Sequence, residues 1–303
     1  MKGDKGFALV ITLLVTALLV ALSAEFTDEV FVDTSSRQNF VDGQQASLLA
    51  ASGMEAATKL LKYGQSIQGY SSLADLDRLN KLLHIEDEQG TIQVTVEDES
   101  GKLNINLAWG DNGMAIPPYN DIATRLFKNC GLSLDLLDAL ADWRDINDDP
   151  HPAGAETPYY RTLKPPYAAN NSKLSTFEEL RLVKGFDAAT VNRLRPVVTI
   201  YDDCNQININ TAPKEVIAAL SNDMTGALAE KVIDYRKTNP FKTVNDLGNV
   251  PGMPVAIVQS LPVFTAVKGT VFRIHSEAKV KEMARIVEAV VNASGQFLYW
   301  REY

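Results

Sequence analysis

The sequence predicts an α+β fold: a long N-terminal helix packed on an antiparallel sheet, with a large inserted all-α domain containing duplicated helix-hairpin-helix-like modules. Three observations carry this. Apolar residues recur at helical intervals from Phe7 to about Lys62 with almost no turn punctuation. Short, alternating, β-branched stretches stand on both sides of the remaining chain. Between them, about residues 109 to 268, the text is helical and repeats itself.

The first element starts with an uncharged run, Phe7 to Ala24, broken only by Thr12, Thr16 and Ser23. As a helix it spans roughly 27 Å at about 1.5 Å per residue, close to the thickness of a bilayer's hydrocarbon core. Lys2 and Lys5 precede it and favour a cytoplasmic start, which sends the bulk of the chain across the membrane. A buried core helix and a cleaved secretory signal, with Ala21-Leu22-Ser23 as a small-x-small cleavage site, are the competing readings. The pattern continues through Phe26, Val30, Phe40, Leu48, Leu49, Met54, Ala57, Leu60 and Leu61, which favours a retained anchor running into an amphipathic stem. Gly43 and Gly53 weaken that helix locally without ending it.

The strand candidates are Thr91–Glu97 and Leu103–Asn106, expected to pair as a β-hairpin about Glu99-Ser100-Gly101-Lys102. Thr270–Val280, Ala284–Val291 and Gln296–Arg301 follow near the C-terminus, with turns at Lys281-Glu282 and Ser294-Gly295. Helices are predicted at Asp121–Lys128, Leu134–Trp143, Thr176–Leu182, Ala188–Leu194, Pro213–Leu220, Ala227–Thr238 and Val244–Leu247. Thr176-Phe177-Glu178-Glu179-Leu180-x-x-Val183-x-Gly185 returns as Thr243-Val244-Asn245-Asp246-Leu247-x-x-Val250-x-Gly252 at a constant shift of 67. Leu103-Asn104-Ile105-Asn106 likewise returns as Ile207-Asn208-Ile209-Asn210.

Composition narrows the function classes. With 46% hydrophobic and 22% charged residues, the 303-residue chain can bury a core. Its net charge of −9 disfavours a general nucleic-acid binder. Cys130 and Cys204 allow one bridge, chemically permitted outside the cytoplasm, or two separate buried thiols. Three scattered histidines (His84, His151, His275) and no Cys-x-x-Cys argue against a Cys/His zinc site. No GxSxG, P-loop or HExxH constellation is present, so the reading is non-enzymatic. Glu178 and Glu179 are expected to face solvent, and Tyr159, Tyr160 and Tyr167 fall in a Pro-rich stretch that reads as a surface loop.

Two motifs could carry function. The Leu-x-x-Val-x-Gly hairpins resemble a helix-hairpin-helix, whose backbone N–H groups hold a phosphate in DNA-binding proteins. Here the second glycine is missing and Asp187 would repel phosphate, so a packing role is preferred. The second motif is the acidic run Asp142-Trp143-Arg144-Asp145-Ile146-Asn147-Asp148-Asp149-Pro150 with Gly154-Ala155-Glu156 beyond. Carboxylates at this density stay solvated or hold a hard cation. Asp145-x-Asn147-x-Asp149 fits the start of an EF-hand, but the glycine and closing glutamate do not, so both readings stand on spacing alone.

Lys5-Gly6-Phe7 followed by an apolar helix resembles the cleavage site of type IV prepilins and type II secretion pseudopilins. The resemblance implies cleavage by a prepilin peptidase between Gly6 and Phe7, with methylation of Phe7. Most such proteins carry Glu as the fifth mature residue. Ile11 stands there in this chain, and the first acid after the cleavage site is Glu25. That departure, together with the helical insert and its acidic loop, resembles the K-type minor pseudopilin of type II secretion. The resemblance implies a division into a leader (1–6), a transmembrane helix (7–24), a pilin stem and first hairpin (25–108), an inserted helical domain (109–268) and C-terminal strands completing the pilin sheet (269–303). It implies a site at the pseudopilus tip, initiating or capping assembly and supporting export of folded proteins, with an inner-membrane anchor and a periplasmic bulk. The implied partners are I-type and J-type minor pseudopilins, other pseudopilins and the inner-membrane assembly platform. It also implies Ca2+ in the insert, for which Asp142, Asp145, Asn147, Asp149 and Glu156 are the candidate ligands. The alternative is a membrane-anchored helix-hairpin-helix DNA-binding protein of a competence-type system.

Overall fold

The structure, a computed structural model, describes residues 4–303, so positions 1–3 of the expected leader lie outside the described residues. Helix α1 runs unbroken from Asp4 to Ile67. Its N-terminal part, including Phe7, Leu9, Ile11 and Leu14, is exposed along its length. Farther on, Ala50, Met54, Ala57 and Leu61 recur every three or four residues and bury one stripe against the sheet.

That sheet has five strands in the order β1-β2-β7-β8-β9, every neighbouring pair antiparallel. They are β1 (His84–Asp87), β2 (Gly90–Asp98), β7 (Val271–Val280), β8 (Met283–Asn292) and β9 (Phe297–Glu302). Phe272, Ile274 and Ala278 alternate along β7, and Val287, Ala289 and Val291 along β8, so that alternate residues meet the α1 stripe. Helix α2 (Leu73–Leu82) closes the end of this core through Leu76.

The expected pairing of Thr91–Glu97 with Leu103–Asn106 is not formed. Strand β2 pairs instead with β1 and β7, while Leu103–Asn104 (β3) lies parallel to Val198–Thr199 (β4). The chain makes a short helical turn at Glu99–Gly101 and leaves the sheet there. It re-enters through β7, immediately beside the strand it left.

Between these crossings the insert is built twice. Strand β3 pairs with β4, and Ile207–Asn208 (β5) pairs with Thr265–Ala266 (β6), both parallel. In each copy the second Asn of the Asn-Ile-Asn element clamps the module shut. Asn106 Nδ2 donates to the carbonyls of Leu174 (3.0 Å) and Ile200 (2.8 Å), and its Oδ1 accepts from Leu174 N (2.9 Å). Asn210 Nδ2 donates to Phe241 (2.8 Å) and Val267 (3.2 Å), and its Oδ1 accepts from Phe241 N (2.8 Å). The clamp spans 68 residues in the first copy and 31 in the second. The helices are α3 (Tyr119–Asn129), α4 (Asp135–Arg144), α5 (Thr157–Tyr160) and α6 (Ala188–Leu194) in the first copy. The second holds α7 (Lys214–Ala219), α8 (Gly226–Thr238) and α9 (Val255–Ser260). The two hairpins turn at Gly185 (φ +84°) and Gly252 (φ +83°), a left-handed conformation that favours glycine.

Two polar knots tie insert to sheet. Asp98, buried at the end of β2, accepts from Asn208 Nδ2 (2.7 Å), Thr211 Oγ1 (2.8 Å) and Ser100 N (2.8 Å). Burial pushes its carboxyl up, against the pull of those hydrogen bonds. Beside it, Glu99 pairs with Lys102 (2.7 Å) and Arg273 (2.8 Å). The insert meets α1 at its C-terminal end, where Lys268 Nζ donates to Gln65 O (2.5 Å).

Candidate metal centre

The extra length of the first module contains the acidic run, and its folding brings three carboxylates inside. Asp142 lies in the last turn of α4 and Asp145 at its C-cap; both are wholly buried. Glu156, the N-cap residue of α5, is only 4% exposed. The loop between them returns because His151 N donates to both Asp142 oxygens (3.1 Å each) and Gly154 N donates to His151 O (3.0 Å). The His151 ring also bonds Asp142 Oδ1 through Nδ1.

These carboxylates are under-satisfied. Asp145 Oδ1 accepts from Asn147 N (3.1 Å), but Asp145 Oδ2 and both oxygens of Glu156 are buried without any hydrogen-bond partner among the described residues. Burial and then the charges of Asp142 and Asp145 push Glu156 up to about 7. Asp145 is raised by burial and then by Asp142. His151 is pulled down by burial, yet its bond to Asp142 and the surrounding acids outweigh this and raise it. The nearby Arg144 feels the charge of Asp145 but makes no hydrogen bond to the group: its Nη1 donates to Trp109 O, its Nη2 lies 3.6 Å from Asp111, and its Nε has no partner among the described residues.

The backbone leaves room at this point. A Cβ on Gly154 would run into the Asp142 carboxylate, and one on Gly113 into Asp145 Oδ2. Buried carboxylate oxygens without donors, converging where the backbone carries no side chain, suit a hard divalent cation. Of the five residues predicted from sequence, Asp142 and Asp145 converge, and Glu156 lies close enough for their charges to raise it. Asn147 is half-buried and Asp149 exposed; the 2.7 Å bond from Asp149 N to Asn147 Oδ1 puts both on the outer turn. His151 was missed as a neighbour. Its ring nitrogen and one oxygen each of Asp142 and Asp145 lie within 4.8 Å of one another. Its position just beyond the acidic run is the one sequence signal for this approach, which otherwise depends on how the loop returns to α4.

Other expectations are corrected. Tyr160 is buried rather than in a surface loop, stacked on Tyr167 (5.3 Å between centroids) and edge-on to Trp143 (5.0 Å). Glu179 does not simply face solvent: it accepts from Trp143 Nε1 (2.9 Å) and Ser175 N (2.9 Å), whereas Glu178 is exposed and paired with Arg195 (2.9 Å). Cys130 and Cys204 are not bridged. Cys130 ends α3, where Arg193 binds its carbonyl (3.2 Å), while Cys204 packs with Val271 and Val290 on the sheet. Lys184, the basic residue a phosphate would need at the first hairpin, donates to the carbonyls of Ala153 (3.2 Å) and Gly154 (2.9 Å).

The fold and this site define a pilin-like protein: a single apolar-ended helix on an antiparallel sheet, carrying a two-copy helical head with an acidic pocket. Residues 101–203 and 207–263 match two domains, both described as type II secretion system (T2SS), protein K. Similar curated proteins include type II secretion system protein K of Klebsiella pneumoniae, 30% identical over 80% of this chain and 78% of its own length. That of Pectobacterium carotovorum subsp. carotovorum is 25% identical over 97% of this chain and 94% of its own. In fold, the chain matches one from the crystal structure of the GspK-GspI-GspJ complex of the enterotoxigenic Escherichia coli type 2 secretion system. The TM-score is 0.72 at 20% identity, covering 89% of this chain and 99% of that one. The chain belongs to the type II secretion system protein K family and is a minor pseudopilin of that system.

Proposed function

We propose that this pseudopilin caps the tip of the type II secretion pseudopilus, initiating its assembly and supporting export of folded proteins. In this reading the chain is cut between Gly6 and Phe7, Phe7 is N-methylated, and residues 7–24 anchor it in the inner membrane. The sheet and insert then lie in the periplasm, with I-type and J-type minor pseudopilins as neighbours.

One observation carries the tip assignment: the head is fixed at the end of α1 opposite the apolar end, by Lys268 on Gln65 and by the Asp98 and Glu99 knots. A subunit added above would meet the head. Ile11 supports the same reading, because an α1 with no acid between Phe7 and Ala24 cannot neutralise the terminal amine of a neighbour stacked above it in lipid. The fold match to a chain of a complex named for GspK, GspI and GspJ supports the choice of partners.

Within the head, Asp142, Asp145 and Glu156, with Asn147 and Asp149 at the outer turn, would hold a calcium ion. The ion would supply the positive charge that the buried carboxylates lack.

The test is co-expression of the full chain with I-type and J-type partners, followed by purification from detergent-solubilised membranes. A stoichiometric complex whose mature K-type chain starts at N-methyl-Phe7 is the expected outcome. Recovery of this chain alone, or a mature start at Ala24, refutes the reading.

A further inference from the structure

We propose that the free edge of strand β9 is a docking site for an extended, carboxylate-bearing segment of a neighbouring tip subunit, which adds to the sheet there as a further strand. This rests on the tip reading above and names the surface that a partner uses.

The two edges of the sheet differ in kind. Strand β1, at one end, is four residues long, exposed throughout and acidic at Glu86 and Asp87. Shortness and charge are common guards of an unpaired edge. Strand β9, at the other end, reads Phe-Leu-Tyr-Trp-Arg-Glu, with neither lysine nor proline. Its Phe297 and Trp300 stand edge-to-face at 5.2 Å and are 48% and 46% exposed. Such an aromatic pair is an anchor for a partner rather than a guard against one.

The backbone of this edge is open. Tyr303 exchanges both main-chain hydrogen bonds with Ile286, at 3.0 and 2.9 Å. By the two-residue alternation of an antiparallel ladder, Arg301 and Tyr299 also face β8, whereas Trp300 and Glu302 turn their N–H and C=O groups outward. Glu302 also accepts from Ser47 of α1 (2.5 Å), so a strand added here lies beside the stem as well.

Charge selects the occupant. Arg301 lines a cavity of about 40 Å3 between β9 and the insert, together with Arg195 and Arg273. Arg195 pairs with Glu178, and Arg273 with Glu99 and Glu288. Arg301 makes no ion pair among the described residues and lies over the Tyr303 ring, 5.1 Å from its centroid. The complement of this remaining cation is a carboxylate carried by the incoming strand.

The experiment compares the full chain alone in detergent with the same chain co-purified with I-type and J-type partners. Hydrogen exchange at the Trp300 and Glu302 amides should be rapid in the chain alone and slowed about tenfold or more in the complex. Arg301→Glu should raise the Kd of assembly about tenfold or more, while Arg301→Lys keeps most of the affinity. Trp300→Pro removes an outward N–H without breaking the ladder to β8 and should weaken assembly similarly. Melting of each variant chain alone separates docking from folding; should Trp300→Pro melt early, Arg301→Glu and the exchange rates decide. Unprotected Trp300 and Glu302 amides in an assembled complex, or Arg301→Glu assembling with the parent affinity, overturns the inference alone. Absence of any complex with the unaltered chain overturns the tip reading as well.

Discussion

The side-chain amide of Asn208 donates to the buried carboxylate of Asp98 across 2.7 Å, tying the second helical module to the last residue of β2. Among the described residues Asp98 makes no ion pair and relies on neutral donors, so each donor matters more than at an exposed carboxylate. Asn208→Ala is expected to cost about 1–3 kcal/mol in denaturant unfolding of the detergent-solubilised chain. The loss should be greater at neutral pH than in acid, where a protonated Asp98 needs fewer donors.

Glu156 gives the head a pH dependence of definite sign. Its carboxyl sits at about 7 in the fold against an ordinary 4.5, so between these values the folded chain keeps a proton that the unfolded chain has released. In chelator, this contribution is fully present below about 4.5 and is lost as pH rises through about 7. Melting temperatures across that window should therefore fall with pH, and Glu156→Gln should flatten the fall. A saturating cation should reverse the slope, because binding requires the deprotonated carboxylates.

Gly154→Ala tests the cradle. The new methyl group would press on the Asp142 carboxylate, which is fixed by three bonds from His151. Overpacking of this kind typically costs about 1–3 kcal/mol. A larger effect is expected on cation affinity, read by calorimetry, since the displaced group is a proposed ligand.

The thiols provide a check on the insert's packing. Burial raises both Cys130 and Cys204, but Cys204 is almost fully enclosed against Val271 and Val290, whereas Cys130 is half-exposed. Intact-mass analysis after alkylation of the native chain should show slow modification at Cys130 and none at Cys204. A second alkylation on unfolding, without reductant, would confirm that the two are not bridged.

Much of this was legible in the sequence because it is written locally. The periodic apolar positions of α1, the alternation in β7 and β8, and the repeat that places Gly185 and Gly252 all act within a few residues. What stayed hidden depends on distance along the chain. Leu103 pairs with Val198, far outside any local window, so proximity to Thr91–Glu97 suggested the wrong partner. Helix α2 did leave a local sign, the capping box of Ser72 and Asp75, in a stretch otherwise short of apolar periodicity. In the acidic pocket the carboxylates were readable as a group. The burial of Glu156 and the approach of His151 depend on how the loop returns to α4, which composition does not encode.

The paired asparagine clamps have a consequence for how this head can change over time. Because Asn106 and Asn210 each close their own module, the length of chain enclosed is a loose variable, and the entropy of a longer loop grows only slowly. New chemistry could thus be spliced into one copy while the other kept the ancestral outline as a structural understudy. A second such splice, placed between Asn210 and Phe241, is where a designer could graft a binding loop onto this head without disturbing its attachment to the filament.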